Sequence, residues 1–356
     1  KVLNKLLDIG NENFKGDLIH TARWNNTIDL KNKRVAVIGT GATSVQLVPS
    51  IAPEVKHLSV FQRTPIWILP KPDTAIPKSV QSLFSRIPFT QQAIRVITDK
   101  ITETVMVTSV VHYKQVPFLV KAFEQLCLNF LRLQVNKKTT REALTPKYGF
   151  GCKRPSFSNN YLATFNRKNV DLITESIQEI TPNGIKTNDG KEHKIEVLIA
   201  ATGFNVMKDS NYLNYQLMGK NKNELGHFWS NNRLQAYQGC AVPNYPNFFI
   251  IFGPYSASGL SWFNLIEIQL THILRVLNEK RKRNALTVEI KQEEHDSYFQ
   301  YILEKQKNTV FYNNNCGGSN SYYFDKFGDA PFLRPLSVHK SKTFSQTSDL
   351  NHYNYR

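Results

Sequence analysis

The sequence predicts an α/β protein, and three observations within one stretch carry the prediction. Arg34–Ile38 is a short apolar run with β-branched residues, and it stops abruptly at Gly39-Thr40-Gly41-Ala42-Thr43-Ser44. Val45, Leu47, Val48 and Ile51 then recur at helical spacing. A second apolar run, Leu58–Phe61, is closed by Gln62-Arg63-Thr64-Pro65. Strand, glycine turn, helix, strand is half of a Rossmann-like dinucleotide-binding fold.

Each residue type in that turn has a chemical reason. Gly39 makes the tight turn, and Gly41 lets the backbone approach a pyrophosphate. The amides that open the helix, around Ala42 and Thr43, then face the phosphates. Ser44 replaces the third glycine and is small enough to preserve close helix–strand packing. The competing reading is an ordinary strand-to-helix turn without a ligand; the flanking strand and helix favour a nucleotide. The end of the second strand selects which nucleotide. A free ribose 2′-hydroxyl usually meets Asp or Glu about 20 residues past the glycines. Here Gln62, Arg63 and Thr64 stand instead, and Arg63 can pair bidentately with a 2′-phosphate. The expectation is NADP(H) rather than NAD(H), although Arg63 taken alone reads as a solvated surface arginine.

Composition bounds the rest. The chain has 356 residues, enough for about two domains, with 41% hydrophobic residues, 22 Phe and 15 Tyr, which is globular and not disordered. Its net charge of +17 suits phosphorylated cofactors as well as nucleic acid or an anionic membrane. The cations are scattered apart from Lys280-Arg281-Lys282-Arg283, read as a solvated helix end, and no nucleic-acid-binding motif is present. Cys127, Cys152, Cys240 and Cys316 lie far apart without metal spacing and are expected to be free thiols in a reducing, cytoplasmic setting. The longest candidate for a membrane span, Val105–Val135, is broken by charged residues, so no transmembrane segment is expected.

Upstream of the turn, Phe14, Gly16, His20 and Trp24 form the pattern F-x-G-x-x-x-H-x-x-x-W. By itself this is a polar segment with a few packing anchors. Placed just before a glycine-turn strand, it resembles the fingerprint of Baeyer–Villiger monooxygenases, a branch of the class B flavin-containing monooxygenases. The family usually continues with Pro or Asp where this chain has Asn25. Trp24 favours this branch over the N- and S-oxygenating relatives. The resemblance extends over nearly the whole chain. It implies that Gly39–Ser44 hold the pyrophosphate of NADPH, that Gln62, Arg63 and Thr64 surround its 2′-phosphate end, and that His20 lies in a linker between cofactor domains.

Later segments follow in order. Residues 74–146 carry helical periodicity, with Leu119, Ala122, Phe123, Leu126, Phe130 and Leu133 as an apolar stripe; they are similar to the helical insertion of the family's NADPH domain. Gly151-Cys152-Lys153-Arg154-Pro155 reads blind as an exposed loop. It resembles the family's G-x-K-R-P segment, which implies that Lys153 joins Arg63 at the 2′-phosphate and that Arg154 stabilises a negatively charged peroxyflavin. Asn169–Ile173 and Ile195–Ala201 read as strands, with a hairpin-like turn at Thr187–Lys191. Ala201-Thr202-Gly203-Phe204 resembles the motif returning to an FAD domain. Asn247–Phe252 reads as a buried strand, and Gly253-Pro254 after it resembles a flavin-contacting loop. A helix is expected over 262–282, with Ile266, Leu270, Ile273, Leu274 and Leu277 buried. Cys316–Asp325 resembles a loop over the substrate pocket.

The expected organisation is therefore a linker over 1–33, an NADPH-binding domain over 34–202 with its helical insertion, the C-terminal part of an FAD-binding domain over 203–336, and a flexible tail over 337–356. The resemblance implies a flavoprotein using FAD, NADPH and O₂ to insert oxygen into a ketone through a C4a-peroxyflavin, giving an ester or lactone. Its partners are then a small organic substrate and O₂, with no metal and no nucleic acid. N- or S-oxygenation, and an inactive NADPH-binding remnant, are the competing readings. The chain begins at Lys1, not Met, and lacks the glycine-rich unit that holds the ADP half of FAD in the family. It reads as the C-terminal two-thirds of a monooxygenase, expected as written to bind NADPH better than FAD.

Overall fold

The computed structural model describes residues 13–203, 215–257 and 262–356. Phe204 of the strand-end motif and residues 1–12 of the expected linker lie outside the described residues. The chain divides into two compact units, one of residues 1–73, 121–205 and 317–320, the other of 74–120, 206–316 and 321–356.

In the first unit the strands are β1 (Asp17–His20), β2 (Arg34–Ile38), β3 (His57–Phe61), β4 (Ile68–Leu69), β5 (Ser156–Phe157), β6 (Val170–Ile173), β7 (Ile177–Thr181), β8 (Gly184–Thr187), β9 (Glu192–Lys194) and β10 (Val197–Ala200). Five of them form a parallel sheet in the order β1-β10-β2-β3-β6. Alternate side chains serve two cores, as the period of two in a strand requires. Val35, Val37, Leu58, Val60, Val197 and Ile199 enter one apolar cluster. Ala36, Phe61, Leu198 and Ala200 enter the other. Helix α1 (Ala42–Ile51) covers the first face with Val45, Val48 and Ile51. Ile180, Ile185 and Ile195, from the β7-β8-β9 sheet and the residue after it, cover the second. Burial on both faces explains why β2 and β10 read as continuous apolar runs. The chain runs from β2 to β3 to β6 on one side and returns to β10 on the other. The order therefore reverses between β2 and β10, the crevice position where open parallel sheets bind ligands.

In the second unit, helices at Lys78–Arg86 and Pro88–Thr102 lead into a π-helical turn at Glu103–Val107. Later come α2 (Trp262–Lys282), α3 (Gln292–Gln306) and α4 (Val338–Thr347). Strands β11 (Val288–Ile290) and β12 (Tyr353–Tyr355) pair antiparallel.

Several expectations change here. The stretch 74–146 is largely helical, but the division between units falls within it at Lys121, so it is not one module. Its stripe is displaced: Val120, Cys127 and Leu131 are buried, while Leu126 and Leu133 are exposed. Asn247–Phe252 does not form a strand. Asn247 and Phe252 take left-handed φ of 59° and 63°, which break the extended backbone at both ends. In α2 the buried residues are Leu265, Ile268, Gln269, His272, Ile273 and Val276; Leu270, Leu274 and Leu277 face outward. Two polar side chains with internal partners displace the apolar stripe. The expected flexible tail is folded. Ser337 caps α4 by accepting from the Lys340 N–H (3.2 Å), and buried Tyr353 anchors β12. Finally, Cys152 and Cys316 are disulfide-bonded, so only Cys127 and Cys240 are free thiols, both buried.

Candidate functional site

The glycine turn sits at the β2 end of the sheet crevice. Gly39 has φ of +112°, and a Cβ there would lie 2.4 Å from the Ala201 carbonyl oxygen. Its N–H donates to the Phe61 carbonyl (3.0 Å), while the Ala201 N–H donates to the Ile38 carbonyl (2.9 Å). The turn is thus clamped between the ends of β3 and β10, and only glycine fits. Gly41 is different: a Cβ built there meets nothing within 4 Å. It is the N-cap of α1, with no side-chain cap and no acidic residue in the first turn. The helix start therefore offers uncapped N–H groups beside open space, with Ala42 and Thr43 exposed, which is an anion-binding arrangement. Ser44 is fully buried, as the close packing demands, and its hydroxyl has no partner.

The cations come from two distant segments, and β4 and β5 bring them together. These strands pair in parallel, Ile68 opposite Ser156. The Trp67 indole N–H donates to the Tyr148 carbonyl (3.0 Å), and the Tyr148 hydroxyl donates to the Pro65 carbonyl (3.1 Å). The Ser156 and Ser158 N–H groups donate to the Trp67 and Leu69 carbonyls. This lacing holds Lys153 near Arg63. Burial, and secondarily the Arg63 charge, lower the Lys153 pKa from its ordinary value. Two cations that feel each other's charge, with no ion pair to a carboxylate among the described residues, make a place that an anion stabilises. Thr64 lies next to Arg63 and is fixed at its carbonyl by the Thr40 hydroxyl (2.8 Å), which ties the β3 end to the glycine turn. Gln62 is buried, its amide N–H donates to the Ala143 carbonyl (2.7 Å), and its amide oxygen has no partner among the described residues. Arg154, the next residue after Lys153, is exposed.

The fingerprint residues lie on β1 and its flanks. Phe14 packs against the second core cluster, and a Cβ at Gly16 would lie 2.3 Å from the Glu196 carbonyl, so both are structural. His20 ends β1 opposite Ala200. Its Nδ1 accepts from the Ala22 N–H (3.1 Å), and burial, followed by Arg23, lowers its pKa, which keeps the ring neutral with its proton on Nε2. Trp24 is exposed. Thr202 and Gly203 follow β10, and Gly203 has φ of 78°. In the second unit, a Cβ at Gly253 would lie 2.4 Å from the Gly239 carbonyl. Buried Gln269 bridges there, donating to the Gly239 carbonyl (2.8 Å) and accepting from the Phe252 N–H (2.9 Å). Gly253 thus stands where a side chain would not fit and is half-buried, and Pro254 after it is buried. One contact escaped the sequence: Asn320 donates its amide to the Thr64 hydroxyl (2.8 Å) across 256 residues. Only the fold reveals such a pair.

Comparison with known proteins found no matching family model. A Baeyer–Villiger monooxygenase of Pseudomonas aeruginosa is 34% identical over 315 residues, 88% of this chain and 58% of the relative. One from Streptomyces coelicolor is 30% identical, covering 98% of this chain and 66% of the relative. An uncharacterised monooxygenase of Mycobacterium bovis is 30% identical, covering 98% and 68%. The chain thus spans 58–68% of the length of these relatives. Among solved structures, OTEMO in complex with FAD and NADP superposes with a TM-score of 0.81 at 24% identity, over 98% of this chain and 72% of that one. Cyclohexanone monooxygenase from Rhodococcus bound to NADP⁺ gives 0.81 at 23%, over 98% and 71%. At that identity the superpositions speak for the fold.

Proposed function

The chain belongs to the Baeyer–Villiger monooxygenase family, and we propose that it contributes the NADP(H)-binding part of an enzyme that inserts one oxygen atom from O₂ into a ketone. The observation that carries this reading is the uncapped helix start at Gly41, tied by the Thr40 hydroxyl to the Thr64 carbonyl next to Arg63, with no acid at the end of β3. Gly39–Ser44 seat the pyrophosphate. Arg63, Lys153 and Thr64 hold the 2′-phosphate, and Gln62, its amide N–H anchored on the Ala143 carbonyl, keeps its unpartnered amide oxygen for the same end of the nucleotide. FAD is proposed from family membership, with residues 203–336 as the C-terminal part of its domain and Thr202, Gly203, Gly253 and Pro254 shaping backbone on its side.

When bound, NADPH supplies hydride and FAD supplies the activation of O₂. The chain's own residues orient and stabilise. Arg154, exposed and presenting several guanidinium donors, would stabilise negative charge that a bound flavin develops. His20, its Nδ1 held by the Ala22 N–H at the edge of the sheet, has a structural and not an acid–base role in this reading. The test is NADPH oxidation under air by the flavin-loaded protein, with and without cyclic and linear ketones, followed by product analysis. Ester or lactone formation that disappears in Arg154→Ala supports the reading. Thioether or amine oxygenation with ketones untouched would move the enzyme to the neighbouring branch.

A further inference from the structure

We propose that Asn320 is a positioning residue for the nucleotide site, acting through Thr64 to sharpen the choice of NADP(H) over NAD(H). This rests on the nucleotide reading given above. Residues 317–320 are far from the β3 end in sequence, yet they belong to the same compact unit as the parallel sheet. Gly318 with φ of 72° and Asn320 with φ of 49° turn this short segment back on itself, and Ser319 between them is buried. Asn320 tolerates the left-handed backbone better than most side-chain-bearing residues. Its amide nitrogen donates to the Thr64 hydroxyl oxygen at 2.8 Å.

The direction of that bond matters. A threonine hydroxyl has one proton to give and two lone pairs to accept with. With Asn320 occupying a lone pair, the Thr64 proton is turned outward as a donor. The Thr64 backbone is held at its carbonyl by Thr40, and its hydroxyl oxygen by Asn320. Arg63 is the adjacent residue, and Lys153 is close enough to feel its charge. A 2′-phosphate held by the two cations meets a third, preset donor; a 2′-hydroxyl, without the cationic attraction, gains little from it. Donation to a charged acceptor is stronger than donation to a neutral one, which converts the Asn320 contact into discrimination.

The experiment is titration of NADP⁺ and NAD⁺ into wild type, Asn320→Gly, Asn320→Asp, Thr64→Val and the Asn320→Gly/Thr64→Val double variant, with Arg63→Ala as reference. Glycine keeps the left-handed backbone free of strain and removes only the amide. Asn320→Gly should weaken NADP⁺ about 3- to 10-fold, the span of one hydrogen bond, and NAD⁺ less than about 2-fold. Asn320→Asp should weaken NADP⁺ further, because a carboxylate accepts the Thr64 proton and repels the phosphate. Once Thr64 is valine, Asn320→Gly should add nothing. Unfolding midpoints without nucleotide should stay level, which separates positioning from stability. If Arg63→Ala abolishes NADP⁺ preference while Asn320→Gly and Asn320→Asp leave it intact, the Asn320 role is wrong and the site stands. If wild type shows no preference and Arg63→Ala changes nothing, both fall.

Discussion

Ser44 shows what a single position costs and permits. It stands where close helix–strand packing favours glycine, and its fully buried hydroxyl finds no partner. An unmet buried hydroxyl costs about 1–3 kcal/mol. Ser44→Ala keeps nearly the same volume and removes the unmet group, so it should raise unfolding stability by about 1 kcal/mol. Chemical denaturation measures this, and a loss of stability would mean that the hydroxyl has a partner in solution. The same scale shows which site residues were legible. Gly39 and Arg63 follow from local requirements, a left-handed turn and a missing acid. Lys153 needed the family resemblance, since its approach to Arg63 is made by β4 and β5 pairing across some 90 residues. Gln62 has a packing role the sequence did not show, its amide N–H held by the Ala143 carbonyl while its buried amide oxygen has no partner among the described residues. Asn320 gave no signal, because nothing local marks a residue that reaches across 256 positions.

At the scale of elements, α2 and the C-terminal segment depart most from the sequence pattern. Helical periodicity selects Leu270, Leu274 and Leu277 as the buried face, while the fold buries Gln269 and His272. Those polar side chains are tolerated inside because each is bonded. His272 Nε2 pairs with the Tyr353 hydroxyl (2.8 Å) and Nδ1 with the Ser348 hydroxyl (3.1 Å), tying α2 to the segment that ends in β12. Arg275 adds bonds to the Ser345 and Ser348 carbonyls. This network turns a polar-looking tail into ordered structure. Burial, reinforced by Arg275 and His352, lowers the His272 pKa to about 3. The unfolded ring takes a proton near pH 6.5 and the folded ring does not. The stability is therefore complete above pH 6.5 and is lost as pH falls from there to about 3. The slope from one such group reaches about 1.4 kcal/mol per pH unit. Urea unfolding at pH 7 and pH 5 should show a smaller acid loss in His272→Gln than in wild type; equal losses would remove His272 from the account.

At the scale of the molecule, a net charge of +17 sets two opposing responses to salt. Like charges repel in the compact state, so raising salt from about 10 to about 150 mM should raise the unfolding midpoint. The same screening weakens attraction of a phosphorylated nucleotide, so NADP⁺ affinity should fall over that range. Both moving together in one direction would contradict a site built on the Arg63–Lys153 pair. Among the described residues, no helix is long and apolar enough to cross a membrane. Four strands of the parallel sheet were legible because they are short and apolar, whereas β1, read as a polar segment, was not. The division into units was not legible, since it cuts through the helical stretch at Lys121 and periodicity carries no partner. The measurement that tests the central claim most directly is calorimetric titration of NADP⁺ and NAD⁺ into wild type and Arg63→Ala. Wild type should prefer NADP⁺, and Arg63→Ala should lose about 10- to 100-fold in NADP⁺ affinity with NAD⁺ little changed, as loss of a charged hydrogen-bond partner predicts. An unchanged preference in Arg63→Ala would place the 2′-phosphate elsewhere and contradict the site.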